Sequence, residues 1–409
     1  MQRFRCLVIG GGAAGMLAAI GAAERGGAVA LLEGNRQPGK KILVSGNGRC
    51  NLTNVEADQP GHYHGRHPGF VRPALAAFPL QRTLQFFADL GIATREEKRG
   101  RLFPLSDQAQ SVVDVLQDRL RVLGVRVACG AKAVGLEPAE RFLVTTQDGT
   151  RWEADRVVLA SGGCSVPKLG ADRSGLELAA RLGHTITRLY PGLVPLESPD
   201  EHVRQMQGVK VFARVRAVLS PRRTIADTDD LLFTPYGVSG FTILNLSAQL
   251  VPLLERGPLD LEVSLFPASS PEQVSELLQG RWARNPHRSL AESFAGLLSS
   301  KLVGPFLARF GFPTDQRVEQ IPKGMRWRLA QALTAWPIPV SGPRSFEFAE
   351  VTLGGIETGE VDARTLESRL VPGLHFAGEM LDIHGDLGGY NFQWAWSSGY
   401  LAGREAGGG

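Results

Sequence analysis

Apolar positions change their spacing twice over the first segment of the chain. Residues 5–9 form a largely apolar run of strand length, and a helix rich in small residues follows from 13 to about 25, apolar without a polar break through Ala23, as in a helix packed on a sheet. A second apolar run, 28–32, ends on Glu33. The order is strand, glycine turn, helix, strand, which is a βαβ unit. Helical spacing recurs at 81–90 and 111–123. Residues 125–128, 141–146 and 157–160 read as strands, and Asp148-Gly149 marks a hairpin turn between 142–146 and 151–153. The character changes around 189–195. Short strands follow at 209–219, 230–234, 242–246 and 259–265, then helices at 272–279, 290–298, 301–310 and 324–335. Strand patterns return at 346–352 and 373–377, and 391–404 reads as a final helix.

The turn in the first unit is Gly10-x-Gly12-x-x-Gly15. Gly10 makes the tight turn out of the strand, Gly12 lets backbone approach a pyrophosphate, and Gly15 lets the helix pack on the sheet. The helix N-terminus offers unpaired N–H groups to phosphate. Glu33 is placed to accept hydrogen bonds from an adenosine ribose. An acid there disfavours a 2′-phosphate, so the expected dinucleotide is FAD or NAD rather than NADP.

With 409 residues the chain exceeds what one core supports. An apolar fraction of 43% and a charged fraction of 21% are ordinary for a globular protein. The apolar stretch 7–23 is broken by glycines and reads as strand plus helix, not as a membrane span. Cys6, Cys50, Cys129 and Cys164 show no metal or CxxC spacing, so no metal is expected and a reducing, cytoplasmic setting is. A net charge of +4 permits nucleic-acid contact without demanding it.

Three distant segments turn the expectation to FAD. Residues 157–163 form a buried strand ending in Gly162-Gly163, where backbone must pass close to the dinucleotide. Residues 374–379 form a second such strand ending in Gly378-Glu379, with the acid where the ribityl and pyrophosphate part of FAD would be held. Gly385-Asp386-Leu387-Gly388-Gly389-Tyr390-Asn391 leads into the final helix. A helix N-terminus aimed at the flavin N1–C2=O edge stabilises the reduced ring. The expected organisation is a discontinuous FAD-binding domain, 1–188 with 340–409, interrupted by a β-rich insert, 189–268, and a helical insert, 269–339.

The loop Gly39-Lys-Lys41-Ile-Leu-Val-Ser-Gly46-Asn47-Gly48-Arg49-Cys50-Asn51-Leu-Thr53-Asn54 is distinctive. So are Leu232-Phe-Thr234-x-x-Gly237-x-Ser239-Gly240, Thr352-Leu-Gly354-Gly355 and Gly388-Gly389-Tyr390-Asn391-x-Gln393-Trp394-Ala395-x-Ser397-Ser398-Gly399. In order and over essentially the whole chain, these resemble the BaiN-like, aminoacetone-oxidase-like FAD-binding flavoproteins. That family includes flavoproteins assigned as ribosomal RNA dihydrouridine synthases. The resemblance implies an α/β fold: a glutathione-reductase-type FAD-binding Rossmann domain with an inserted β-rich plus helical region and extended FAD. It carries cofactor roles onto Gly10, Gly12, Gly15, Glu33, Lys41, Asn47, Gly378, Glu379 and Gly388 to Asn391. Cys164 departs from it, standing where the family is not expected to carry a cysteine.

A flavin carries hydride, so the protein supplies position, electrostatics and a proton. Cys50, beside Arg49 in a Gly/Asn loop, is the candidate acid, since a neighbouring cation lowers a thiol pKa; a small buried packing residue is the alternative. Tyr390 lines the flavin or donates a proton, or simply packs. His384 and Asp386 share its loop. Gly355, after a strand, is expected to let backbone approach the isoalloxazine. No second GxGxxG serves a nicotinamide, so NAD(P)H docks transiently or the substrate is itself the reductant.

Between Arg281 and Arg328 there are nine Lys or Arg against three acids, with Trp282 and Trp327 interleaved. This reads as a solvated helical face or as an RNA-binding patch built on Arg281, Arg284, Arg288, Lys323, Arg326 and Arg328. The leading expectation is an NAD(P)H-driven reductase of a conjugated C=C, with uridine of ribosomal RNA as substrate. The alternatives are a small-amine oxidase producing hydrogen peroxide and a non-enzymatic FAD-containing RNA-binding factor.

Overall fold

The computed structural model describes residues 3–220 and 223–408. The chain forms two compact units, one of residues 1–190 with 350–409 and one of residues 191–349.

In the first unit the strand Arg3–Ile9 lies between Val29–Glu33 and Arg151–Leu159, parallel to both, so that Val8 faces Leu31 on one side and Val158 on the other. Arg126–Cys129 extends the sheet beyond Val29–Glu33. The long strand Arg151–Leu159 has two kinds of neighbour. Its first half pairs antiparallel with Phe142–Thr146, and its second half pairs parallel with Leu374–Phe376. Burial follows that division: Trp152 and Ala154 alternate with outward residues, whereas Val157, Val158 and Leu159 are buried in succession.

The helices Ala13–Ala23 and Tyr390–Gly407 pack side by side in parallel. A Cβ on Gly399, Gly403 or Gly407 would collide with the main chain of Ala14, Ala18 or Ala22 respectively. Glycine every fourth residue of one helix, facing alanine every fourth of the other, makes a ridge contact at backbone distance. The polar-looking final helix is therefore an interior element.

The second unit is built on a seven-stranded antiparallel sheet in the order Trp336–Val340, Leu259–Ser264, Lys210–Ser220, Arg223–Thr234, Gly237–Ser239, Leu196–Glu197, Gly342–Pro343. Its core holds Trp336 against Phe233, Phe306 and Phe310, with ring centroids 5.5, 5.2 and 6.4 Å away. Helices Pro271–Arg284, Ser300–Arg309 and Lys323–Thr334 belong to the same unit.

Several expectations are corrected. Residues 242–246 are helical, within Phe241–Leu254, because Ile243, Leu246, Leu250, Val251 and Leu254 are buried at helical spacing after a left-handed Gly240. Residues 290–298 hold only the single turn Glu292–Phe294, as Ser289 and Glu292 cap each other and Gly296 turns left-handed. Residues 346–352 split into a turn, Phe346–Phe348, and a strand, Val351–Leu353. Residues 340–349 lie in the second unit, because Trp336–Val340 pairs with Leu259–Ser264, and the β-rich and helical segments there form one unit rather than two.

Candidate functional site

At the first turn, Gly10 has φ 108°, and a Cβ there would meet the main chain of Ala160 and Ser161. A Cβ on Gly15 would strike the Gly10 carbonyl. At Gly12 a Cβ would meet nothing within 4 Å, and the same holds for Gly162, whose φ is 80°. Two glycines are thus required by the protein's own packing and two face open space. The helix Ala13–Ala23 starts at Gly12 without a side-chain cap or an acid in its first turn, leaving N–H groups to receive phosphate. Glu33 has a further job. Its Oε2 accepts from the Gly11 N–H at 2.8 Å, and its Oε1 accepts from the Asn35 N–H at 2.7 Å and from Asn35 Nδ2 at 2.8 Å. The acid clamps the glycine turn and keeps acceptor capacity for a ribose.

Lys41 and Glu379 are brought together across the chain. Lys41 Nζ donates to Glu379 Oε2 and to Ser165 Oγ, each at 2.7 Å. Glu379 Oε1 accepts from Ser165 Oγ at 2.9 Å and from the Thr352 N–H at 2.7 Å. Burial alone would raise the Glu379 carboxyl; the Lys41 charge and these hydrogen bonds outweigh it and hold the group below its ordinary value. Thr352 opens the distinctive Thr352-Leu-Gly354-Gly355 segment, whereas no role was read for Ser165 in the sequence. Gly378, with φ 70°, sits against Ala14 and donates its N–H to Ser398 Oγ at 2.9 Å, which sets Glu379 beside the start of the first helix.

Gly355 answers to the protein rather than to a ring. Its Cβ would collide with the main chain of Met380 and Leu381, so a close crossing of two backbones by itself requires glycine here. Asn391 is likewise occupied. Its Oδ1 accepts from the Gly385 N–H at 2.8 Å, and its Nδ2 donates to the carbonyls of Gly385 and Asp386 at 2.9 and 3.2 Å, so it ties the loop before the final helix. Asn54 Nδ2 holds the Gly388 carbonyl at 2.9 Å, and Gly389, with φ 107°, lies against the Thr53 main chain. The helix Tyr390–Gly407 then begins uncapped by any side chain. Gln393, fully buried, joins Thr53 Oγ1, Thr83 Oγ1, Ser397 Oγ and the Phe78 carbonyl.

The loop Lys40–Gly48 leaves helical geometry at Ser45, Gly46 and Asn47. Asn47 (φ 58°) is exposed and Cys50 (φ 62°) is buried, both left-handed. The expected acidity of Cys50 is overturned. Its side chain is enclosed, burial pushes the thiol up to about 12, and Arg49 turns away to Glu97 at 2.8 Å and over the Phe103 ring. Cys50 packs. Cys164 is also buried, which raises its thiol.

Tyr390 meets groups that sequence spacing could not associate with it. Its ring stacks on His62 at 4.3 Å and meets Tyr63 edge-on at 6.2 Å. Burial, then Glu56 and Asp386, push its phenol up to about 12, so it is protonated at neutral pH. The short strands Tyr63–His64 and His384–Gly385 pair antiparallel. Asp386 Oδ2 is 2.9 Å from His62 Nδ1, and its Oδ1 is 2.7 Å from His64 Nε2. Burial would raise Asp386, but the two imidazoles outweigh it and hold the carboxyl low. His384 is buried with its Nδ1 unpartnered among the described residues, and burial lowers it to about 4.

In the second unit Arg281, Arg284, Asn285, Arg288 and Ser293 line a cavity of about 100 Å³. Arg281 is held by the carbonyls of Ser293 and Ala295, and Arg326 by Ser275 and Gln279. Arg284, Arg288, Lys323 and Arg328 are exposed. Trp282 is buried and donates to Ser293 Oγ, which removes it as a stacking platform. Among the described residues no group of His, Cys, Asp or Glu is placed to hold a metal ion, and no helix is long and apolar enough to cross a membrane.

Residues 4–405 match the family described as HI0933-like protein Rossmann domain. The chain belongs to that family. As an HI0933-like protein it is an FAD-dependent oxidoreductase, and the open glycines and uncapped helix starts suit that cofactor. The HI0933-like chain is 38% identical to a "3-dehydro-bile acid delta(4,6)-reductase" of Clostridium scindens, with 98% of each chain covered. It is 34% identical to a "Ribosomal RNA dihydrouridine synthase" of Escherichia coli K12, with 99% of this chain and 98% of the relative covered. A 3-ketosteroid delta1-dehydrogenase from Sterolibacterium denitrificans shares the fold at TM-score 0.52 and 12% identity, with both chains covered completely.

Proposed function

We propose that this protein reduces a C=C bond conjugated to a carbonyl, with uridine in ribosomal RNA as substrate and a nicotinamide nucleotide as the source of electrons. Gly12, Gly162 and the start of the first helix would hold the FAD pyrophosphate, and Glu33 the adenosine ribose. The Lys41–Glu379 pair and the start of the final helix would hold the rest. The final helix begins nine residues before Gly399, which packs at the level of Ala14. At the helical rise its N-terminus therefore extends about 12 Å past the start of the first helix. FAD held there would supply the hydride chemistry, and the chain's residues would position the substrate and a proton for it.

The observation that carries the reading is Tyr390, a protonated phenol at that extended helix start. It is suited to giving its hydroxyl proton to the α carbon while Asp386 and its histidines stay beside it. Support for the bond type comes from the names of the two relatives, a delta(4,6)-reductase and a dihydrouridine synthase. Support for RNA comes from the exposed arginines and the Arg281–Arg288 cavity of the second unit, which suit backbone phosphate.

The test is anaerobic. Holoenzyme bleached with NADH or NADPH is mixed with ribosomal RNA transcript, and reoxidation is followed together with the appearance of dihydrouridine by nucleoside mass spectrometry. Reoxidation by a steroid dienone but not by RNA would move the substrate to small enones. Peroxide formation from an amine in air, with no response to either acceptor, would replace the reductase by an oxidase.

A further inference from the structure

The strands Thr94–Glu97 and Arg101–Pro104 form a hairpin that turns through Lys98–Gly100. Arg99, in the middle of the turn, is exposed and left-handed, with φ 64°. Glycine adopts that conformation freely and a long side chain does not. The conformation is imposed from beneath. Buried Asn54 donates from Nδ2 to the Arg99 carbonyl and to the Gly388 carbonyl, each at 2.9 Å, and the Val55 N–H donates to the Gly100 carbonyl at 2.9 Å. Both amide hydrogens of Asn54 thus tie this turn to the glycine turn in front of Tyr390. A Cβ placed on Gly388 would lie 3.5 Å from Asn54 Nδ2, 3.6 Å from the Tyr390 ring and 3.8 Å from Arg101 Cγ, so the base of the hairpin and the phenol meet at one spot.

The neighbouring charges have other work. Arg101 donates from Nε to the Lys98 carbonyl at 3.0 Å and lies over the Phe103 ring. Glu97 accepts from Arg49 and Arg95 at 2.8 and 3.0 Å, and Asp386 is held by His62 and His64 at 2.9 and 2.7 Å. Burial, then Glu56 and Asp386, push the Tyr390 phenol up, and the Arg99 charge pulls against them. A strained backbone that holds an exposed cation beside a candidate proton donor has the character of a functional residue rather than a packing one.

We propose that Arg99 is a substrate-binding residue that takes a backbone phosphate of the RNA strand whose uridine lies at Tyr390. This inference rests on the reading of the chain as a reductase of uridine in RNA. A guanidinium presents parallel N–H donors to phosphate oxygens, and one sugar separates a phosphate from its own base. A cation at the rim of the base site therefore holds the strand in register without reading its sequence. Lys98, exposed on the same turn, adds charge of the same sign. Glu56 faces the same phenol and repels the strand, and Arg99 offsets it. A neutral enone offers Arg99 no anionic group, so the residue favours RNA over a steroid-like acceptor.

Arg99→Gly removes the cation and suits the left-handed backbone, so it is expected to fold with the wild-type urea midpoint and to hold FAD. With ribosomal RNA transcript as acceptor for the nicotinamide-reduced holoenzyme, its KM is expected to rise about tenfold at a kcat near the wild-type value. Binding of fluorescently labelled transcript, read by anisotropy across a salt series without turnover, is expected to lose about one unit of log–log salt slope. Arg99→Lys keeps the charge without the fork and should recover the slope but only part of the KM. If wild-type holoenzyme is not reoxidised by RNA, the functional reading fails. If it is, while Arg99→Gly keeps the wild-type KM and salt slope, Arg99 takes no phosphate and that reading stands. A fall in kcat at unchanged KM would make Arg99 a tuner of Tyr390 and overturn the proposal. So would a loss confined to flavin reduction by NADH or NADPH, which would assign Arg99 to the phosphates of the nicotinamide nucleotide.

Discussion

The two units bury different things. In the inserted unit the buried polar residues among those described are hydroxyls: Ser198, Thr234, Ser239, Thr242, Ser247 and Ser293. The first unit also buries Glu33, Asn54, His184, His375, Asp382, His384 and Gln393. Backbone strain divides the same way. Of the non-glycine residues at positive φ, Asn47, Cys50, Arg99, Asp107, Val166 and Leu366 belong to the first unit and Leu193 to the second. Strained backbone and enclosed ionisable groups cost stability and persist where the surroundings over-determine them. The comparison assigns chemistry to the first unit and an ordinary apolar core to the second.

The largest test of that contrast sets one core against the other. Trp336→Ala removes the centre of the aromatic cluster in the inserted unit and is expected to cost about 3–5 kcal/mol in urea unfolding. Trp336→Phe should cost far less, since the Trp336 Nε1 has no hydrogen-bond partner among the described residues. Gly403→Val in the final helix is expected to cost about 1–3 kcal/mol by forcing it off Ala18, and to lower retained FAD as well. Equal FAD loss in all three variants would erase the distinction.

A smaller effect is read in acid. Glu379 in the first unit and Asp200, 2.6 Å from Arg309 in the second, are both held below their ordinary carboxyl values; burial opposes this in each, and pairing wins. A depressed carboxyl contributes stability that is present above its unfolded value and is lost as pH falls through the folded one. Wild-type urea midpoints should therefore fall as pH drops below 4.5 for Glu379 and below 3.8 for Asp200. Glu379→Gln and Asp200→Asn should each flatten part of that fall. If Glu379→Gln keeps the full acid slope, the Lys41 pair contributes nothing to stability.

The smallest effect concerns thiols. A thiol-specific alkylating reagent should label exposed Cys129 in the native protein and leave Cys6 and Cys50 unmodified until urea is added. Prompt labelling of Cys50 would reopen it as an acid.

Much of the Rossmann half was legible because its parts are local. Gly10-x-Gly12-x-x-Gly15 and Glu33 belong to one strand–helix–strand unit, and the turn chemistry names the geometry. The misreadings fell where local pattern and packing disagree. Residues 242–246 form a short, mostly apolar run of strand length, yet the buried positions that follow continue at helical spacing. Cys50 lies beside a cation in sequence and away from it in space, because Arg49 finds Glu97.

By itself the order of residues determined the glycine turn, the acid at the end of the second strand and the strand and helix periods of the first unit, since each depends on neighbours a few bonds away. Only the tertiary structure decided that Asn391 ties a loop, that Gly355 serves a backbone crossing, and that His62 and His64 meet Asp386 and Tyr390. Those meetings depend on how segments hundreds of residues apart settle against one another, and side-chain contacts at that separation leave no period in the chain.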